Sequence, residues 1–358
     1  MKHIIVRRHI KSVKKLRIGI VGCGSVALKG HIPAWKLYNN VVVAAAADPN
    51  PVARKRCKKY VDNLYDDYKE MLDKEDLDIV DICTPPHLHF DVSLHAAERG
   101  ANILVEKPMA ISKNQAVEMV NRARRYGVKL CVMQNHRYIP SVMAAKRIVD
   151  SGGLGAIVGV SGQLFIPPPF GWTSSTWPFE RSEGGGVVFN VAIHVIDLAL
   201  WFAGDVESVF AYGGDFLGRM DIEGYFSALL KFKNKAIGVV ESSWYNGGLR
   251  STFEVRGTGG EIKIDLRNDH MLRYSSHLTP YEEVKSLLSK FLKVGLEVVR
   301  KKYFRGFLAY QAGLIGDFIN SIINDAKPPV PGEEGLKSVA VAESISLSIM
   351  NNAPVQVT

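Results

Sequence analysis

The feature that most constrains this chain is a glycine-rich turn that follows a short apolar run. Residues 16–21 read LRIGIV, and residues 22–27 follow the pattern G-x-G-x-x-A. Glycines at these positions allow a sharp turn and let a pyrophosphate approach unpaired N–H groups at the start of a helix. The pattern therefore predicts a dinucleotide-binding turn, although a plain strand-to-helix turn is the alternative. The predicted cofactor contacts in it are Gly22, Gly24, Ser25 and Val26.

A carboxylate after the second apolar run supports the dinucleotide interpretation. Residues 41–47 are apolar, Asp48 follows them, and a proline-containing turn comes next. In dinucleotide-binding folds an acid at this place accepts hydrogen bonds from ribose hydroxyls, and its charge repels a 2′-phosphate. Asp48 therefore predicts NAD as the cofactor in preference to NADP.

Composition places the chain among ordinary globular proteins. It has 358 residues, 47% of them hydrophobic, and no run of about 18 apolar residues that would predict a membrane span. The four cysteines lack C-x-x-C spacing, which favours free thiols and a cytoplasmic location. The net charge of +9 comes mainly from residues 1–17 and 285–305, so we do not expect nucleic-acid binding.

The pattern of apolar runs divides the chain into two domains after a basic N-terminal extension, residues 1–15. Across residues 16–134, strand-like runs alternate with helical patterns, which predicts the doubly wound parallel sheet of a Rossmann domain. Across residues 135–358, closely spaced strand-like runs predict an α+β domain with an open, mainly antiparallel sheet. One face of such a sheet often pairs with a second copy, so we expect a homodimer or homotetramer.

Polar residues follow one predicted strand at the edge of the sheet where ligands collect. Residues 84–89 read TPPHLH, in which two prolines impose a rigid turn. We predict that Thr84, Pro85 and His89 contact the cofactor. His87 and His89 are spaced like a metal-binding pair, but no third ligand lies nearby in sequence, so we predict no metal site and expect a helix-start or loop-packing role.

A charged pair follows the next strand along the chain. Glu106 and Lys107 come directly after the apolar run that ends at Val105, and a proline follows them. This position predicts that both residues lie close to a bound nicotinamide, with an ordinary surface lysine as the alternative for Lys107. Farther along, Asn190 and His194 are four residues apart on a predicted helix and share one face, although a packed core histidine is the alternative there.

Five segments together resemble the glucose-fructose oxidoreductase and inositol dehydrogenase family, also called Gfo/Idh/MocA. They are GCGSVA (22–27), ADPN (47–50), TPPHLH (84–89), VEKPMA (105–110) and GGGVVFNVAIHVIDLALWFAG (184–204). The resemblance covers roughly residues 16–350. It implies a Rossmann domain, a C-terminal α/β domain and nicotinamide-dependent oxidation or reduction of a sugar or polyol. It also implies that Lys107 lies in the active site.

The chain departs from the family pattern Asp-x-x-x-His at its first position. His194 matches the histidine, but Asn190 stands where the aspartate is usual, and an amide cannot take up a proton. The departure resembles the branch that acts on nucleotide-linked N-acetyl sugars. We predict that His194 accepts a hydroxyl proton while Lys107 hydrogen-bonds the same oxygen. A non-catalytic NAD-binding regulatory or sensor protein is the alternative function.

The remaining predictions concern contacts. We expect Asn135 at the cofactor, and a sugar, polyol or nucleotide-linked sugar to contact Lys107, Arg137, Tyr138, Trp177, Asn190 and His194. Residues 167–186, which include Trp177, are long enough for a substrate cover, with a disordered connection as the alternative. Residues 284–307 mix apolar and basic side chains, which predicts a helical insertion, with membrane-surface contact as the alternative.

Overall fold

Two β-sheets organise the computed structural model, which describes residues 15–168, 176–218, 220–245, 250–274 and 305–357. The first sheet has six parallel strands in the order β3-β2-β1-β4-β5-β6, which confirms the predicted Rossmann-type sheet. Its strands are β1 (Leu16–Val21), β2 (Val41–Ala47), β3 (Asn63–Tyr65), β4 (Ile79–Ile82), β5 (Asn102–Val105) and β6 (Leu130–Val132).

Helices connect these strands and start where local chemistry favours a helix. The first begins with a π-helical turn, Ala27–His31, and continues as α1 (Ile32–Trp35). The Asn50 side chain caps the next helix by accepting hydrogen bonds from two N–H groups of its first turn. The others are α2 (Pro51–Cys57), α3 (Tyr68–Lys74), α4 (His89–Glu98) and α5 (Lys113–Tyr126).

The centre of the first sheet is buried. All four residues of β4 are buried, as expected for a parallel strand covered on both faces. Asp81 is the one charged residue of β4, and it needs buried partners because an isolated charge in the core is costly.

The second sheet has eight strands in the order β13-β12-β11-β7-β10-β9-β8-β14. All neighbours pair antiparallel except β7 and β10, which pair in parallel. The sheet is therefore mixed and mainly antiparallel, as predicted. Its strands are β7 (Ile157–Phe165), β8 (Val206–Gly214), β9 (Tyr225–Phe232), β10 (Ile237–Ser243), β11 (Arg250–Gly257), β12 (Gly260–Asp265), β13 (His270–Tyr274) and β14 (Val355–Gln356).

An apolar helix packs on this second sheet. A π-helical turn, Val188–Ala192, leads into α7 (Ile193–Ala203), which packs on β7 and β10. Within the described ranges one helical stretch, Arg181–Ala203, is long and apolar enough to cross a membrane, but 72% of its most apolar window is buried inside the protein. We therefore interpret α7 as a core helix.

The C-terminal helices return to the first sheet. Besides α6 (Pro140–Asp150), the second half contains α8 (Arg305–Ile323) and α9 (Gly332–Asn351). Helix α8 packs on α1, and α9 packs on α5, α7 and β8. Residues 1–14 and residues 275–304 lie outside the described part of the chain, so the predictions for the basic extension and for residues 284–304 stay predictions, as do the predicted domain boundaries.

Candidate active site

The glycine-rich turn joins β1 to the π-helical turn. Gly22 has a φ of +95°, and a Cβ there would lie 2.7 Å from the Cys83 carbonyl oxygen, so only glycine fits. A Cβ on Gly24 would meet no atom within 4 Å. The backbone at Gly24 therefore faces open space. The first N–H groups of a helix lack partners within it, so this turn fits a pyrophosphate.

Asp48 lies beside the turn, as the sequence predicts. Its Oδ2 accepts a hydrogen bond from the Cys23 N–H at 2.8 Å, and its Oδ1 accepts one from the Asn50 N–H at 2.8 Å. A carboxylate offers about four lone-pair directions, so both oxygens can also accept from ribose hydroxyls. The Arg54 guanidinium donates to the Asp48 carbonyl oxygen rather than to its carboxylate.

Lys107 reaches from the first sheet to the second half of the chain. It follows β5, and a cis peptide bond joins it to Pro108. Its Nζ donates a hydrogen bond to the Asn190 carbonyl oxygen at 2.9 Å, in the π-helical turn before α7. Burial lowers the pKa of Lys107, against the opposing charge of Glu106. Asn190 precedes His194 by four residues, about one helical turn. The hydrogen bond to Asn190 therefore places Lys107 near His194.

His194 stacks on a second imidazole that sequence reasoning missed as a site residue. The ring centroids of His136 and His194 are 3.9 Å apart, and their planes differ by 12°. Burial and the charge of Lys107 lower the pKa of His136 to about 4. Burial, His136 and Lys107 lower the pKa of His194 well below its usual value. Both rings are therefore neutral near pH 7, and a neutral ring has a lone pair that can accept a proton.

Several buried polar side-chain atoms around these groups have no hydrogen-bond partner in the described part of the chain. Buried polar atoms are normally hydrogen-bonded, so each such atom requires an explanation. Most of these residues follow β4 or β6, and the last lies on α7. A polar ligand held at this edge of the sheet would supply partners to the atoms that face it. The atoms are Thr84 Oγ1, His87 Nδ1, Gln134 Oε1, Asn135 Oδ1, His136 Nδ1 and His194 Nδ1.

A chain of buried hydrogen bonds leads from Glu106, the residue before Lys107, to His31 and Asp81. Glu106 Oε1 contacts His31 Nε2 at 2.8 Å, and His31 Nδ1 lies 2.9 Å from both carboxylate oxygens of Asp81. Trp35 Nε1 donates to Asp81 Oδ2 at 2.6 Å. His31, Asp81 and Cys83 have donor atoms within 4.8 Å of one another. Because both ring nitrogens of His31 face carboxylates, neither has a lone pair free for a metal.

Arg137 and Tyr138 have partners other than the predicted substrate. Arg137 donates to both oxygens of Asp197 at 2.7 Å and also contacts Glu334. The Tyr138 hydroxyl donates to Asp317 at 2.6 Å. Both side chains therefore join elements of the fold, and their contact with substrate stays a prediction.

The His89 ring contacts main-chain oxygens of two loops. Its Nδ1 lies 2.8 Å from the Pro108 carbonyl oxygen and its Nε2 lies 2.9 Å from the Thr84 carbonyl oxygen. It therefore joins the two loops that follow β4 and β5, and its direct contact with the cofactor stays a prediction. Trp177 is half-buried in a short 3₁₀ turn, and its contact with substrate stays a prediction.

Two family models match this chain. Residues 16–134 match the oxidoreductase family with an NAD-binding Rossmann fold, and residues 142–263 match the GFO/IDH/MocA C-terminal domain. The chain belongs to the Gfo/Idh/MocA family. As a Gfo/Idh/MocA member it has an NAD-binding Rossmann domain, in agreement with the turn at Gly22 and with Asp48.

Two relatives of this Gfo/Idh/MocA chain are named as dehydrogenases of carbohydrates. It is 28% identical over 301 residues to levoglucosan dehydrogenase of Pseudarthrobacter phenanthrenivorans, covering 72% of this chain and 76% of the relative. It is 29% identical over 246 residues to D-glucoside 3-dehydrogenase of Escherichia coli, covering 65% and 68%. The WlbA dehydrogenase from Bordetella pertussis, solved with NADH and UDP-GlcNAcA, superposes with a TM-score of 0.84 at 24% identity over 96% and 98% of the two chains. This last likeness shows the fold.

Proposed function

We propose that this protein is an NAD-dependent dehydrogenase that oxidises a secondary hydroxyl of a sugar, a polyol or a nucleotide-linked sugar. The observation that carries the proposal is that Lys107 extends to the helical turn before His194, which stacks on His136. Lys107 contacts the Asn190 carbonyl oxygen at 2.9 Å, and its charge lowers the pKa of both imidazoles. The named carbohydrate dehydrogenases among the relatives support the substrate class.

The side chains at this site suit the removal of one proton and the transfer of one hydride in alcohol oxidation. Bound NAD supplies the acceptor for the hydride that leaves the hydroxyl-bearing carbon. His194 accepts the hydroxyl proton, because its depressed pKa keeps it neutral near pH 7. The Lys107 ammonium donates a hydrogen bond to the same oxygen and stabilises the negative charge that develops there.

The turn at Gly22–Val26 and the carboxylate of Asp48 hold the cofactor in this proposal. The Asp48 charge disfavours a 2′-phosphate, which supports NAD over NADP. Asn135 lies at the start of the turn after β6, and its buried Oδ1 lacks a partner in the described structure. We propose that it contacts the cofactor.

Asn190 favours the second candidate function, a non-catalytic NAD-binding sensor. Its side chain replaces the family aspartate and cannot exchange a proton. However, Lys107 contacts the main-chain oxygen of Asn190, which any residue type supplies. The substitution therefore leaves the Lys107 contact intact and changes only what the side chain offers to a ligand.

The test is NAD reduction by the purified protein with free sugars, polyols and nucleotide-linked sugars, followed at the absorbance of reduced nicotinamide. We expect at least one substrate class to reduce NAD. Lys107→Ala and His194→Ala should each lower kcat at least about 100-fold while NAD still binds. Lys74→Ala is the control, since that ammonium pairs with Glu70 on the surface. NAD binding without reduction by any substrate would support the sensor instead.

We also propose that the protein works in the cytoplasm as a homo-oligomer. Cys23, Cys57, Cys83 and Cys131 are all free thiols, which suits a reducing compartment. The outer face of the second sheet carries exposed apolar side chains, which suits contact with another copy.

A further inference from the structure

We propose that His31 is a positioning residue for Lys107, acting as a buried cation that holds Glu106 in place. This inference rests on the proposed function, because it assumes that Lys107 acts on the substrate oxygen. His31 and Asp81 are fully buried, and the Glu106 side chain is 13% exposed. None of the three touches the substrate in our proposal.

Hydrogen-bond complementarity assigns the charge of His31. Each of its ring nitrogens lies 2.8–2.9 Å from a carboxylate oxygen, of Glu106 on one side and of Asp81 on the other. An ionised carboxylate only accepts hydrogen bonds, so both ring nitrogens must carry a proton. Asp81 is itself an acceptor, since Trp35 Nε1 donates to it at 2.6 Å. His31 is therefore an imidazolium between two carboxylates.

The charge of His31 acts on Lys107 through Glu106, which contacts both residues. One oxygen of Glu106 accepts from His31, and the other accepts from the Lys107 N–H at 3.0 Å. If His31 lost a proton, one ring lone pair would face a carboxylate at hydrogen-bond distance and repel it. Glu106 would then move, and the backbone that carries the Lys107 side chain would lose its partner. A misplacement of about 1 Å can reduce turnover by about 100-fold.

The charge of His31 affects the Lys107 ammonium through Glu106. Glu106 on the same loop favours the protonated amine. Asp81 on β4 and Cys83 directly after it face His31. From the other half of the chain, His136 and His194 face Lys107 as neutral rings. Because Glu106 moves when His31 loses its charge, the pKa of Lys107 should fall.

The decisive variants are His31→Gln and Asp81→Asn. The first removes the cation, and the second keeps the shape of the site but removes the carboxylate that stabilises the cation. We expect each to lower kcat about 10- to 100-fold with KM for NAD unchanged. Activity is lost as pH rises through the Lys107 pKa, and displacement of Glu106 lowers that pKa, so this alkaline limb of kcat should move to lower pH. His95→Gln is the control, because His95 pairs with Asp73 near the surface.

The outcomes separate this inference from the proposed function. An alkaline limb that stays in place while stability falls would reduce His31 to a structural residue and overturn the inference. If Lys107→Ala itself keeps wild-type kcat, the proposed function fails first. Neutron diffraction on the wild-type protein at pH 7.5 tests the charge without any variant. We expect deuterium on both ring nitrogens of His31, and deuterium on only one would overturn the inference.

Discussion

Burial and neighbouring charges together determine how individual residues of this site are charged. The imidazole of His194 has a lowered pKa because it is buried beside His136 and Lys107. The imidazole of His31 has a raised pKa because burial, which lowers it, is outweighed by the charge of Asp81 together with the Asp81 hydrogen bonds and Cys83. Two histidines of one chain are therefore held in opposite protonation states, which suits the proposed proton acceptor His194 and the proposed positioning residue His31.

The stacking of His136 on His194 predicts a pH dependence of activity, which His136→Phe tests. A general base is lost as pH falls through its pKa, so kcat/KM for oxidation should hold below pH 7 and fall only well below the usual histidine pKa of about 6.5. Phenylalanine keeps a flat ring against His194 but removes the effect of His136 that lowers the His194 pKa. The acid limb of the pH profile should then move to higher pH. An unchanged acid limb would argue against His194 as the base.

Asp48→Ala tests the cofactor contact. The variant removes an acceptor for the ribose hydroxyls and for the Cys23 N–H of the glycine-rich turn. Hydrogen bonds to charged groups contribute about 1.5–3 kcal/mol, so Kd for NAD should rise about 10- to 150-fold, and the preference over NADP should fall. Isothermal titration with both cofactors measures this. Asp62→Ala, at an exposed position of the same half, is the control. Equal NAD affinity in the wild-type protein and in both variants would show that Asp48 does not contact the cofactor.

At the scale of elements, both helices that lead from the site begin with a π-helical turn. These turns are Ala27–His31 and Val188–Ala192. A π-helical turn contains an extra residue, and such turns are frequent at functional sites. The regular helix predicted over Asn190 and His194 did not include this shift. It is the carbonyl oxygen of Asn190, in the π-helical turn, that accepts the hydrogen bond from Lys107.

A buried ion pair joins three other elements. Arg137, in the turn after β6, pairs with Asp197 on α7 and Glu334 on α9. Arg137→Met would leave Asp197 buried without its partner, which costs about 3–5 kcal/mol. We expect a large fall in the unfolding midpoint, with KM for substrate unchanged below that temperature.

The matched control for this ion pair is Arg124→Met. Arg124 pairs with Glu333 on the same helix α9, but its side chain is 64% exposed, against 5% for Arg137. An exposed pair contributes only about 0–1 kcal/mol. If the Arg137 variant instead changes KM for substrate without loss of stability, Arg137 contacts the substrate.

At the scale of the whole molecule, the second sheet has one face covered by α7 and one face with exposed apolar residues. On β9 and β10, Leu229 is 51% exposed, Ile237 is 56% exposed and Val239 is 39% exposed. Leu229 pairs directly with Val239 across the two strands. A contiguous apolar surface of this kind suits contact with a second copy of the chain.

Leu229→Glu tests the oligomer. A carboxylate at the centre of a subunit contact would be buried without a partner, so the variant should shift to monomer in light scattering coupled to size-exclusion chromatography. Leu37→Glu is the control, because Leu37 is 62% exposed but lies on the first half of the chain. A wild-type protein that is already monomeric would contradict the predicted homodimer or homotetramer.

Much of the fold and part of the site could be predicted because the responsible signals are local. Alternating strands and helices follow from apolar spacing, and the turn at Gly22 and the acid at Asp48 follow from short-range backbone chemistry. Lys107 and His194 could be found because each stands in a short recognisable motif. The structural positions of Arg137 and His89 could not, since nothing near them in sequence shows which carboxylate or carbonyl oxygen they contact.

The sequence by itself determined the two sheets, the dinucleotide-binding turn and the residue types available for chemistry, because those depend on neighbours along the chain. Only the tertiary structure decided which side chains meet. His31 is separated by 50 residues from Asp81 and by 75 from Glu106, and packing of the parallel sheet is what brings them together. Their charges follow from that packing, since burial strengthens every interaction between ionised groups and makes each depend on its partner.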